Sequence, residues 1–152
     1  MSIHYVLIAK DMKINMAEYS TDSGNYQLVI ANLLPKLASN RRRHFQSTEC
    51  TVYTCCTENL QFICLTDPDY KLEHGYGLLE AVKKALMLKF TEEQLKNTLT
   101  LGSSMNKDLK DLVQEYNSNP ESDKAKKVMT DLSEVKDTVA ENLGIVTRSL
   151  MF

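Results

Sequence analysis

Short apolar runs separated by turn residues dominate the first half of the chain, a pattern that predicts β-strands. Apolar residues fill nearly every position over 3–9, which indicates a strand covered on both faces. A weaker strand is predicted over 14–19, and these two strands form a predicted hairpin. Further strands are predicted over 42–47, 51–57 and 60–66, the last two joined by the turn Glu58-Asn59.

The pairing of the last two strands decides what must cover the sheet. With Glu58-Asn59 as the turn, Tyr53 and Phe62 share one face of the sheet, while Val52 and Ile63 share the other. Both faces are therefore apolar and need covering. Helices are expected on each side of the sheet.

Amphipathic helices are predicted in three places. Apolar residues recur at helical spacing over 26–37, 74–89 and 105–116. Pro35 removes one backbone hydrogen bond from the first of these helices, which therefore either kinks there or ends just before it. Thr91-Glu92-Glu93-Gln94 has the spacing of a capping box and predicts a short helical turn.

The hydrophobic period changes in the C-terminal segment. Asn119-Pro120 supplies an N-cap and a first-turn proline, so a helix is predicted to begin there. A narrow seam then recurs at alternating spacings of three and four residues, at Ala125, Val128, Leu132, Val135, Val139, Asn142, Val146 and Ser149. Such a seam is typical of a helix that enters a coiled coil. A terminal helix folded back on its own domain has the same periodicity, and the pattern leaves both interpretations open.

Length and charge narrow the class of protein. A chain of 152 residues and 17.3 kDa fits one domain with a short appendage. Lys and Arg number 18 against 20 Asp and Glu, so there is no global attraction to nucleic acid, and no nucleic-acid partner is expected. The longest apolar run covers only residues 5–9, far short of the roughly 20 that cross a bilayer. The chain as given is expected neither to span a membrane nor to enter the secretory lumen.

Arg41-Arg42-Arg43-His44 is the strongest charge run. It fits a solvated loop that leads into an edge strand, where basic residues discourage aggregation. It also fits a site for an anionic lipid or an acidic partner, although the run is shorter than typical lipid-binding polybasic segments.

Signatures of catalysis are missing from the sequence. It contains no glycine-rich phosphate loop, HExxH pair or GxSxG elbow, and no histidine has a context that would orient it on a cysteine. Without a secretory signal the cysteines are expected to be reduced and buried as hydrophobic residues: Cys50, Cys55, Cys56 and Cys64. We expect no enzymatic activity, no cofactor and no metal site.

Three local motifs fall at the ends of these elements. The first strand closes in Ile8-Ala9-Lys10, the last closes in Cys64-Leu65-Thr66-Asp67, and the following helix contains Leu78-Leu79-Glu80-Ala81-Val82-Lys83-Lys84. In these motifs, and in their order before a heptad segment, the chain resembles the longin-type R-SNAREs, the vesicle SNAREs of the long vesicle-associated membrane protein group. That family has an Ala-Arg or Ala-Lys ending, a Cys-Ile-Thr-Asp type motif and a Phe-Leu-x-x-Ile/Val-Lys-Lys helix at the same places.

The resemblance implies an α+β longin (profilin-like) domain over residues 1–117, with a five-stranded antiparallel sheet between one helix and two helices. A linker and helix cap over 118–123 and the N-terminal half of a SNARE coiled-coil helix over 124–152 would follow. The family's motif spans about sixty residues, so more heptads and a membrane anchor are expected beyond residue 152. The register places Ser149 where the family has its central arginine, with Arg148 one position early. Either the register shifts by one residue or the arginine is lost.

The function implied by the resemblance is that of a vesicle SNARE in intracellular trafficking and membrane fusion, on the cytoplasmic face of a vesicle, endosome or Golgi membrane. The seam residues would join target-membrane SNAREs in a parallel four-helix bundle, and the longin domain would regulate assembly and sorting. In the family, a groove between the first helix and third strand receives partners or the protein's own SNARE segment, and trafficking adaptors are among the partners that the resemblance implies. Here that groove would contain Leu28, Val29, Leu33 and Phe45. The alternative is a longin-fold trafficking adaptor or scaffold that never joins a fusion bundle, an alternative that Ser149 favours slightly.

Overall fold

The computed structural model describes residues 2–11, 13–22, 24, 26–34, 42–57, 59–98, 100–118 and 139–142. The strands are β1 (Ile3–Lys10), β2 (Ile14–Ser20), β3 (Arg42–Gln46), β4 (Thr51–Cys56), β5 (Leu60–Thr66) and β6 (Val139–Asn142). The helices are α1 (Tyr26–Leu33), α2 (Leu72–Lys89), α3 (Glu92–Asn97) and α4 (Gly102–Ser118). Each strand and helix predicted for the first 116 residues is present, with ends that differ by a few residues.

The strands form one sheet in the order β2-β1-β5-β4-β3-β6. The first five strands in this order all pair antiparallel, as predicted. The hairpin turn between β1 and β2 contains Asp11 at a φ of 54°, a left-handed conformation that aspartate tolerates better than most residues. The prediction of a five-stranded antiparallel sheet is therefore confirmed, and β6 adds a sixth strand.

Two hydrophobic clusters cover the two faces of the sheet. One lies under α1 and includes Tyr5 and Leu7 of β1. The larger one lies under α2, α3 and α4 and includes Tyr53 and Phe62. The predicted placement of one helix on one face and two on the other is confirmed, with the short α3 added to the second face.

The ends of the helices follow local chemistry. α1 ends at Leu33, ahead of Pro35, which is the second of the two outcomes that the proline allowed. The capping box of α3 is present, since Gln94 N donates to Thr91 Oγ1 at 3.1 Å and Thr91 N donates to Gln94 Oε1 at 2.9 Å. Among the described residues, no helix is both long and apolar enough to cross a membrane.

Each edge strand of the five-stranded antiparallel part of the sheet, β2 and β3, is covered by a different element. On β2, the Met16 carbonyl accepts a hydrogen bond from Leu101 N at 3.0 Å, and Glu18 N donates to Asn106 Oδ1 at 3.1 Å. On the other side, β3 pairs with β6 in a parallel arrangement. Because unpaired strand edges promote aggregation, both contacts protect the fold.

The strand β6 corrects the prediction of a continuous helix from residue 120. Residues 139–142 form a strand, so the helical prediction is wrong for them in this structure. A narrow apolar seam stabilises a helix only when it packs against a partner. The edge of β3, in contrast, offers backbone hydrogen bonds within the same chain. The other seam positions lie outside the described residues: Ala125, Val128, Leu132, Val135, Val146 and Ser149.

Candidate functional site

The four residues predicted to form the groove divide into two groups. Val29 and Leu33 of α1 and Phe45 of β3 are at most 3% exposed, and all three belong to the cluster under α1. Leu28, in contrast, is 53% exposed. Val29 and Leu33 are one helical turn apart and so face the sheet together, which leaves only Leu28 of this set on the surface.

The strand β3 is fastened to the domain by its charged residues. Arg42 Nη2 donates to Glu80 Oε1 of α2 at 2.9 Å. The Arg43 guanidinium lies 5.1 Å from the centre of the Phe45 ring, within the range of a cation–π interaction. Two arginines of the predicted charge run therefore interact with the domain itself, and Arg41 lies outside the described residues.

His44 also fastens the strand to α2, on the same face as Arg42 and opposite to Arg43 and Phe45. It is only 8% exposed, its Nδ1 lies 3.1 Å from the Tyr76 hydroxyl, and its ring stacks on Tyr53 at 6.1 Å between centroids. Burial lowers the pKa of His44. These contacts hold β3 firmly in place while its outer backbone edge faces β6.

The pairing of β3 with β6 brings the two predicted sets of residues together. Val139 lies opposite Arg43, and Asn142 lies opposite Gln46. Phe45, predicted for the groove, lies opposite Glu141. Two residues of the predicted seam, Val139 and Asn142, therefore pair with the strand that was predicted to bind partners. The heptad pattern does not predict this backbone pairing.

The four cysteines are buried and free, as predicted. Burial raises the pKa of Cys56 to about 11 and raises the pKa of Cys64 further. Such thiols are poor nucleophiles at neutral pH. No group of three or more His, Cys, Asp or Glu side chains that could hold a metal occurs in the part of the chain that the structure describes.

An antiparallel sheet with one helix on one face and two longer helices on the other defines the class of protein as an α+β domain of the longin type. The chain belongs to the Longin family, the regulated-SNARE-like domain, whose sequence model matches residues 16–111. The resemblance stated from the motifs is therefore confirmed.

Relatives extend the similarity beyond this domain. The chain is 21% identical over 150 residues to vesicle-associated membrane protein 7 of Rattus norvegicus, covering 97% of this chain and 68% of the relative. The human protein of that name is 20% identical over the same spans. Vesicle-associated membrane protein 714 of Arabidopsis thaliana is 22% identical over 147 residues, covering 94% of this chain and 66% of the relative. The family and these relatives support a SNARE-type role in vesicle transport.

Proposed function

We propose that this chain is the N-terminal part of a vesicle SNARE, in which residues 124–152 assemble with target-membrane SNAREs and the longin domain controls when they do so. It would act on the cytoplasmic face of a vesicle, endosome or Golgi membrane, held by an anchor beyond residue 152. The observation that carries the proposal is the β3–β6 pairing, because Val139 and Asn142 are seam positions. A residue cannot pair with β3 as a strand and fill a layer of a four-helix bundle at the same time.

The docked state is expected to be weak. β6 is only four residues long, and the net contribution of each backbone hydrogen bond is about 1 kcal/mol before the entropy of ordering the segment is subtracted. We estimate a docking free energy of roughly 1–3 kcal/mol. A four-helix bundle buries the whole seam and easily exceeds this value, so docking delays assembly without preventing it.

The domain is well suited to hold the C-terminal tail, residues 119–152, because β3 is fixed in place before β6 pairs with it. The contacts of Arg42 with Glu80 and of His44 with Tyr76 fix the strand independently of β6. Docking therefore orders only the tail, which reduces its entropic cost.

The test compares assembly of the full-length protein with that of a form lacking residues 1–117, using a panel of target-membrane SNARE motifs and circular dichroism to follow helix formation. Removing the domain should speed assembly about tenfold, the factor that about 1.4 kcal/mol of docking free energy provides. Replacing Val135 and Val139 together by Asp should abolish assembly in both forms by burying unpaired charge. Ser133→Asp with Thr138→Asp, which adds the same charge outside the seam, is the matched control.

Assembly of the Val135 and Val139 double variant at the parent rate would show that the seam is not the partner surface. Equal rates for the full-length and domain-free proteins would remove the regulatory part of the proposal.

A longin-fold adaptor or scaffold is the second candidate, because Ser149 occupies the register position of the central arginine in the resemblance. In that case β6 would remain docked when target-membrane SNAREs are added. Hydrogen exchange at residues 139–142 separates the two functions, since only a fusion SNARE loses β3-dependent protection there and becomes helical.

A further inference from the structure

α1 also has a side that faces β2, and two adjoining cavities open along it. The larger cavity, about 410 Å³, is lined among others by Tyr5, Glu18, Asp22, Tyr26 and Leu28. The smaller cavity, about 180 Å³, shares Tyr5 and continues along α1. We call these two cavities together the α1–β2 groove.

The groove follows from the residues of β1 and β2 that lie on the face covered by α1. On the face that α1 covers, β1 presents the apolar residues Tyr5, Leu7 and Ala9, and these are buried. Their β2 neighbours on that face are polar, since Leu7 pairs with Glu18 and Ala9 with Asn15. The helix packs on the apolar strand and leaves the polar one uncovered, so the groove has an apolar floor and a polar wall.

Two carboxylates are held in fixed positions at one end of the groove. The Tyr26 hydroxyl donates to Asp22 Oδ2 at 2.9 Å, and Gly24 N donates to Asp22 Oδ1 at 2.9 Å. Those two hydrogen bonds lower the pKa of Asp22. The Tyr5 hydroxyl donates to Glu18. Both carboxylates are thus oriented by tyrosines that themselves line the larger cavity.

Among the described residues, the side chain of His4 adjoins the carboxylates at this end. His4 Nδ1 lies 3.8 Å from Asp22, and His4 Nε2 lies 2.6 Å from the Asp67 carboxylate, so His4 is shared between two acids. Lys13 lines the other, apolar end of the groove. The Tyr5 and Tyr26 rings, with centroids 5.8 Å apart, add aromatic surface beside the carboxylates.

The combination of carboxylates and aromatic rings fits a guanidinium group. Arginine is planar, pairs with carboxylates through two hydrogen bonds and stacks on aromatic rings, and the ring quadrupole favours a cation. An anionic lipid headgroup would be repelled by the same carboxylates. Leu28 and the second cavity, lined by Leu7, Ile30 and Leu34, offer apolar contacts that a lone cation would not use.

We propose that the α1–β2 groove is a second protein-binding surface, which takes a partner segment that places an arginine against Glu18 and Asp22 and aliphatic side chains against Leu28 and the apolar end. The groove lies beside β2, at the opposite side of the sheet from β3. A partner bound there would not displace β6, so this surface does not depend on the proposed function.

The test is a titration of the full ¹⁵N-labelled chain, followed by nuclear magnetic resonance, with the peptide acetyl-Arg-Leu-Leu-amide and its matched control acetyl-Gln-Leu-Leu-amide. The arginine peptide should shift the amide signals of Asp22, Leu28 and Ile30 and bind about tenfold more tightly than the glutamine peptide, as expected for a charge-assisted hydrogen bond. Signals from 139–142 should not move.

Variants assign the effect to the carboxylates. Asp22→Asn and Glu18→Gln should each remove most of the preference for arginine, while Leu28→Ser should weaken both peptides alike. Glu93→Gln, an exposed carboxylate on α3, is the control that should change nothing. If Asp22→Asn disturbs the turn that Asp22 organises, Glu18→Gln still carries the test.

Any of three results with the two peptides would overturn the proposal. They are no saturable shift at millimolar peptide, equal binding of the two peptides, and shifts that map outside the groove. Binding of arginine amide alone as tightly as the peptide would identify a small-cation site and would equally refute a protein-binding surface.

Discussion

Lys10 shows how one buried side chain joins two elements. It is 7% exposed, and its ammonium donates to the carbonyls of Leu95, Lys96 and Thr98 at 2.8, 2.6 and 3.2 Å. These carbonyls belong to the last turn of α3 and to its C-cap residue Thr98, where a helix has unpaired acceptors and a partial negative charge. The basic residue that closes the Ile8-Ala9-Lys10 motif is therefore the cap of a helix some 85 residues away.

Replacing Lys10 by Met should lower the free energy of unfolding by about 2–3 kcal/mol, because it keeps the aliphatic stem but leaves three carbonyls without their charged donor. Urea unfolding of the full chain measures the change. Lys13→Met, at an exposed position three residues on, should change the stability by less than about 0.5 kcal/mol. Similar effects of the two substitutions would contradict the capping role.

The acidic turn after β5 provides a pH dependence. Burial opposes ionisation of Asp67, but hydrogen bonds from His4 Nε2 and Ser2 N outweigh it and hold the pKa of Asp67 below its usual value. A carboxyl group whose pKa is lowered by folding stabilises the fold above its unfolded pKa of about 3.9, and the contribution is lost as the pH falls through the folded value.

Stability should therefore decline as the pH falls below about 4, and Asp67→Asn should make this decline shallower. Thermal unfolding between about pH 7 and pH 2 measures it, with Asp69→Asn as the control for an exposed carboxylate in the same turn. An identical pH profile for Asp67→Asn and the parent would show that Asp67 is not a source of the dependence.

At the scale of single elements, periodicity predicts those parts of the chain whose partners lie within the domain. Alternation and helical spacing identified β1, β4, β5 and α2 because each packs its apolar residues against its own sheet or helices. The same reasoning could not apportion the groove residues, because the direction in which Leu28 points depends on how α1 crosses the sheet.

The strand β6 is the element that periodicity missed, and the reason is physical. A heptad seam describes the packing of a helix against partner helices, which are absent from a single chain. Without them, residues 139–142 satisfy their backbone on β3. A four-residue pairing depends on an available edge rather than on a hydrophobic period, so the sequence carries little signal for it.

Ala140→Pro should break the pairing of β6 with β3, because proline has no N–H group and is poorly tolerated inside a strand. Hydrogen exchange should then lose the protection of amides in 139–142 and on the outer edge of β3, while β1 and β5 remain protected. Thr147→Pro, beyond β6, is the control and should leave the pattern unchanged. Fast exchange over 139–142 in the parent chain itself would contradict docking.

At the scale of the whole molecule, the two edge strands of the antiparallel sheet, β2 and β3, are covered by segments with different roles. Leu101, just before α4, and Asn106 of α4 cover β2, and both belong to the domain itself. The tail covers β3 and is proposed to leave it when partners bind. The contact that covers β2 therefore lies beside the α1–β2 groove. The contact of β6 with β3, which is proposed to be released, lies on the strand proposed to control assembly.

Asn117 fixes the end of α4 to the first strand of the sheet. Ile3 N donates to its Oδ1 at 2.8 Å, and its Nδ2 donates to the Ile3 carbonyl at 3.2 Å, so this side chain pairs with the backbone of β1 as a neighbouring strand would. The predicted boundary of the longin domain at residue 117 thus falls on the residue that ties the end of α4 to the start of the sheet.

A chain ending at Ser118 should consequently fold with a free energy of unfolding only about 1–3 kcal/mol below that of the full chain, because β6, proposed to dock with that free energy, is the described element that it loses. Asn117→Ala within that shortened chain should cost a further 1–2 kcal/mol, roughly, because it leaves the N–H and carbonyl of Ile3 without partners. Urea unfolding measures both, and Ser118→Ala provides a control at the adjacent position.

A large loss of stability on removing residues 119–152 would show that the tail is part of the folded core. The boundary would then have to move toward the C-terminus, and tail release could not be a low-cost step before SNARE assembly.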